Sequence, residues 1–207
     1  MQLIKPFKTL LLILACVFTL ITSQSIAQSF QFESEILSES SISINGETNV
    51  RSVKCAYPKP FPTTILRHTS TLVDSLFQVQ GDTLFLNVKA LECGKRAINR
   101  DMRKTLKQSE FPFIKSWIDR IILHDDGETT AIVSVYLADV IREYDMPIQS
   151  DETEDVIRIS GSQPIKLSEF DLITPSVLFG AIRVKDEFIV EFDIHLRQKI
   201  ELIKKGS

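Results

Sequence analysis

The residues best equipped for chemistry are three histidines, three cysteines and a few clustered carboxylates. His68, His124 and His195 are too far apart for a local metal motif, and a zinc site needs three or four converging ligands. His124 adjoins Asp125 and Asp126, but Gly127 follows, so the group reads as a solvated turn. His195 falls on the polar side of an alternating run, and His68 lies in a loop bounded by prolines. No Gly-x-Ser-x-Gly elbow occurs, and neither Cys55 nor Cys93 sits in a reactive-thiol motif. No glycine-rich phosphate loop is present. Glu152 and Glu154 belong to an acidic stretch, residues 150–155, that reads as another solvated turn. These patterns nominate no catalytic residue, no metal ligand and no cofactor, so the expectation is a protein that is not an enzyme.

The elements that could position a site are mostly strands. Near the C-terminus Phe188, Val190, Phe192, Ile194 and Leu196 alternate with Glu191, Asp193, His195 and Arg197, the pattern of a half-buried strand. In residues 82–91, Leu84, Leu86, Val88 and Ala90 share a face. Gln80-Gly81-Asp82 predicts a tight hairpin from residues 76–79 into that strand. Ala131, Val133, Val135 and Leu137 align in residues 129–137, and residues 113–123, with Ile114 and Ile118 on one face, read as their hairpin partner. Residues 139–148 and 155–160 predict a further hairpin around the acidic tip. Residues 30–36, 41–45 and 50–57 carry weaker strand signals. One segment departs from this: Ile98, Met102 and Leu106 recur every four residues in 97–108, which predicts an amphipathic helix stopped by Pro112. It reads as a lid or plug on the sheet, with a membrane-surface role for its basic face as the lesser alternative. About nine strands and one helix predict an all-β barrel or sandwich, and periodicity alone does not separate the two.

Residues 1–8 carry Lys5 and Lys8 and no acid, an apolar run extends to about Ile21, and Ser25-Ile26-Ala27 follows. This is the pattern of a secretory signal cleaved after Ala27, leaving a single domain over residues 28–207. A rival reading makes Cys16 a lipid-modified residue, but Leu14 suits it poorly and the chain stays apolar beyond it. The expected location is periplasmic or secreted. There Cys55 and Cys93 either pair as a disulfide or remain two buried thiols. The formal charge of −3 argues against nucleic acid as a partner; the one dense basic stretch, Lys95 to Lys107, is interrupted by Asp101.

The run 91–103 (LECGKRAINRDMR), then Leu106 and Phe111-Pro112-Phe113-Ile114, resembles the YceI-like family. So do Lys166-Leu167-Ser168-Glu169-Phe170, Pro175, Phe179-Gly180-Ala181-Ile182 and Val184-Lys185-Asp186 before the last strand, and Ile44 to Cys55 near the start. The likeness covers most of residues 30–197. It implies an extended, lipocalin-like antiparallel β-barrel with one helix, exported, holding a long polyisoprenoid-type lipid inside, and it supplies no catalytic residues. The chain departs from the family at Leu137-Ala138-Asp139-Val140, where many members have a glycine-containing turn. The wall candidates for an apolar ligand are Leu84, Leu86, Val88, Ile114, Ile118, Val133, Val135, Phe188, Val190, Phe192 and Ile194. The alternative is a solid-cored interaction or scaffold protein of the cell envelope, because alternation is the same for a filled interior and a hollow one.

Overall fold

In a computed structural model, residues 28–153, 155–177 and 182–202 are described. The signal sequence, its cleavage site and Cys16 lie outside the described residues, as do Phe179-Gly180-Ala181. Among the described residues there are twelve strands: β1 (Gln28–Ile36), β2 (Ser41–Thr48), β3 (Ser52–Ala56), β4 (Thr64–Val73), β5 (Leu76–Gly81), β6 (Leu84–Asn87), β7 (Phe113–Leu123), β8 (Thr129–Leu137), β9 (Val140–Glu152), β10 (Ile157–Lys166), β11 (Ser176–Val177) and β12 (Ile182–Leu202). Helix α1 (Arg96–Thr105) follows β6, after a 3-10 turn over Val88–Ala90.

Strands β1, β4, β5, β7, β8, β9, β10 and β12 pair in that order, all antiparallel, and β12 returns to β1. The ring therefore closes into a barrel and leaves no free edge within it. Its organiser is the long β12. One edge of β12 pairs with β10; the other takes β2 from Val184 to Asp193 and β1 from Leu196 to Leu202. Strands β1 and β2 thus lie end to end along β12. At the break between them His195 N–H donates to Ser40 Oγ at 3.0 Å, and Leu37 N–H donates to the His195 carbonyl at 2.9 Å. Strand β3 extends the sheet beyond β2.

The predicted strands over 113–123 and 129–137 form as β7 and β8, and the acidic-tip hairpin forms as β9 and β10. The turn at Ala138-Asp139 is built without glycine: both residues take positive φ (49° and 72°), as a two-residue hairpin loop of the primed type requires. Three expectations are corrected. Residues 76–79 and 84–87 do not form a hairpin; β5 and β6 run end to end along β7, through Leu76–Ile122 and Leu84–Ser116 pairs. The second strand stops at Asn87 rather than continuing to 91. There the Asn87 side chain accepts the Lys89 N–H at 2.9 Å and caps the 3-10 turn, which takes Val88 and Ala90 out of the sheet. Finally, the proline-rich loop ends by Thr64, and His68 sits within strand β4.

Candidate functional site

The inner faces of these strands do not meet. They enclose a cavity of about 470 Å³, within the size range of small-molecule sites. Along β12 the wall runs from Val184 to Gln198, at most about 46 Å of chain at 3.3 Å per residue, so the space is elongated. Every proposed wall residue except Val88 lines it. Val88 is 0% exposed and packs instead in the filled part of the core, because the 3-10 turn carries it away from the strand face.

Two glycines help to open the space. Gly46 faces Phe188 across the β2–β12 pair, and Gly161 faces Phe192 across the β10–β12 pair. A Cβ at Gly46 would stand 2.4 Å from the Phe188 ring, and one at Gly161 would stand 2.6 Å from the Phe192 ring. Each ring therefore occupies space that a side chain at the glycine would take. A bulge between Ile118 and Arg120 shifts the register of β7 against β8. Ile114 and Ile118 line the cavity before the bulge and Ile121 after it, a change of parity that simple alternation does not foresee. Asp119 at the bulge accepts from Trp117 Nε1 at 3.1 Å and from Ser134 Oγ at 2.6 Å.

One end of the cavity is closed by α1, whose Ile98, Met102 and Thr105 face inward. The helix is anchored by the Cys55–Cys93 disulfide just before it. The buried Asn99 accepts the Cys93 N–H at 2.7 Å and donates to Glu92. Arg103 donates to the Lys89 carbonyl at 2.7 Å and to Glu92 at 3.1 Å. A crosslink over a separation of 38 residues stabilises a fold by about 4 kcal/mol in the chain-entropy account. Of the two readings left open for the cysteines, the bridge is the one present.

The opposite end is polar. Ser34 pairs with Gln198 and His68 with Gly81, and Ser70 and Asp82 lie beside them; all six line the cavity. The His68 ring stacks on Phe32 at 5.1 Å. Burial pushes the His68 imidazole below its usual value, while the Asp82 carboxylate acts in the other direction. Among the described residues no Lys, Arg or Glu lines the cavity, and no group of three His, Cys, Asp or Glu is placed to hold a metal ion. Sequence reasoning missed this polar end, since β4 carries only a weak alternation through Leu66, His68 and Ser70. His124, at the predicted turn, meets Thr130 Oγ1 at 2.9 Å, and His195 lies 3.3 Å from Asp193; neither lines the cavity.

No family model and no curated protein matches the sequence. Solved structures do match it in fold. BcnA of Burkholderia cenocepacia is similar at a TM-score of 0.59 with 14% identity, covering 76% of this chain and 96% of that one. A polyisoprenoid binding domain from Saccharophagus degradans, implicated in plant cell wall breakdown, is similar at 0.55 with 10% identity, covering 81% and 98%. A mutant CJ YCEI protein with a monobromobimane guest is similar at 0.50 with 10% identity, covering 65% and 81%. With its closed antiparallel ring and, among the described residues, one α-helix at one end of an apolar interior, the chain has the YceI-like fold.

Proposed function

We propose that the protein is an exported, non-catalytic carrier that holds a long apolar, polyisoprenoid-type ligand inside the barrel. The observation that carries this reading is the elongated void of about 470 Å³ walled by aliphatic and aromatic side chains. Moving hydrocarbon from water into such a space contributes roughly 0.8 kcal/mol per methylene, so a tail of several isoprene units needs no polar anchor to bind. The polar end gives the ligand a direction. A head group there meets His68, Ser70 and Gln198, where burial disfavours the charged imidazole and, among the described residues, no Lys or Arg lines the wall to balance a phosphate. The likeness in fold to a polyisoprenoid binding domain supports the same ligand class. Export is supported by the N-terminal pattern ending at Ala27 and by a disulfide, which persists in oxidising compartments.

The test is organic extraction of the protein purified from its native host, followed by mass spectrometry. The expected result is one apolar molecule per chain, with an intact N-terminus at Gln28. Protein that yields no stoichiometric lipid overturns the carrier reading.

A further inference from the structure

The two ends of the barrel differ in charge as well as in closure. The stretch from Lys95 to Lys107 holds six cations and one acid in a chain whose formal charge is −3. α1 turns its apolar side to the cavity and leaves Lys95, Arg96, Arg100, Lys104 and Lys107 exposed. Three acids at this end are paired with cations: Asp101 with Arg100 at 3.2 Å, Glu92 with Arg103 at 3.1 Å, and Glu47 with Lys185 at 2.5 Å. Lys95, Arg96, Lys104 and Lys107 have no ion-pair partner among the described residues. Arg51 adds a further exposed cation at the β2–β3 tip, and it borders a shallow hollow together with Lys95 and Ile98.

Two apolar side chains project at the same end. Val50, at the β2–β3 tip, is 65% exposed, and Ile173, in the loop before β11, is 88% exposed. Both are held at the start of β12. Asn49 N–H donates to the Arg183 carbonyl at 3.2 Å, and Val184 N–H donates to the Pro175 carbonyl at 3.4 Å. Cations beside protruding aliphatic tips suit an interface of phosphates above hydrocarbon.

We propose that the α1 end of the barrel docks on an anionic lipid surface, with the outer cations of α1 against the head groups and Ile173 and Val50 inserted beside them. Such docking sets the cavity's helix-closed end against the bilayer. It rests on surface charge and exposure alone and stands whether or not the cavity carries a lipid.

The test is flotation of the purified protein with phosphatidylcholine vesicles, with or without phosphatidylglycerol, at low and high salt. Binding is expected only to the vesicles containing phosphatidylglycerol, and it should weaken as salt rises. Each cation lost should lower affinity about fivefold, so the Arg100→Glu/Lys104→Glu double variant is expected to fall at least that far per site. Ile173→Asp should also float poorly. None of these three positions lines the cavity, so a melt unchanged from the parent is the control; Arg100→Gln/Lys104→Gln replaces the reversal if it melts early. Equal binding to both vesicle types, no binding, or full binding by the double variant overturns the proposal. Full binding by Ile173→Asp also overturns it, because charge alone would then hold the protein with no side chain inserted.

Discussion

The filled core around Val88 and the hollow interior around Val190 are built from the same kinds of residue. Val88 is 0% exposed and joins Tyr57 and Phe61 in a buried cluster, and none of these three lines the cavity. Val190, Phe192 and Ile194 are only half-buried, although they stand on a ring strand with a partner on each edge. The difference lies in what stands opposite. Around Val88 the 3-10 turn and the loop carrying Tyr57 and Phe61 bring side chains in from outside the ring. Around Val190 the opposing positions are strand faces held apart by closure of the ring, and two phenylalanine rings pack against glycines. Hydrophobic patterning drives both regions to the interior, and the path of the backbone decides which of them closes up.

The largest contrast comes from placing a carboxylate in each region. Val88→Asp is expected to cost several kcal/mol, because the charge has no water and no partner, and a fold stabilised by about 5–15 kcal/mol is then largely lost. Val190→Asp faces a space that water can enter; it should shift the thermal melt far less while abolishing retention of apolar ligand. A parallel melt of the two variants reads this directly, and equal losses of stability would mean that the Val190 side is filled in solution. A smaller effect is expected from Gly46→Ala. Its new methyl group displaces the Phe188 ring into the cavity, costing about 1–3 kcal/mol and reducing the amount of lipid recovered on extraction. The hollow reading fails at this point if ligand content is unchanged.

The smallest effect concerns the polar end of the hollow region. His68 binds its proton less readily folded than unfolded, since burial disfavours the charged ring. The unfolded chain therefore takes up more protons as pH falls below the usual histidine value of about 6.5, and this group lowers stability progressively in that direction. Melts between neutral and mildly acidic pH should show a steeper decline for the parent than for His68→Asn. Identical slopes would place His68 in water and not in the cavity wall.

The strands were legible where apolar and polar residues alternate, as in β12 and in β7 before its bulge. The helix was legible from the four-residue spacing of Ile98, Met102 and Leu106. Strand β4 was not, because its inward positions include His68 and Ser70, and a polar inward face erases the contrast on which alternation depends. The β5–β6 break was misread for a different reason: a Gly-Asp pair marks a turn, but whether the chain reverses or steps along the same neighbour depends on β7, some thirty residues later.

The sequence by itself determined which faces are apolar and where the helix lies, while leaving Cys55 and Cys93 open between a bridge and two free thiols. It determined these because they follow from local periodicity and residue type. Only the tertiary structure decided that the ring closes, that Val88 leaves the wall while Ile121 enters it, and that polar groups gather at one end of the interior. Those outcomes depend on strand register, a bulge and a capped turn, through which residues distant in the chain fix one another's orientation.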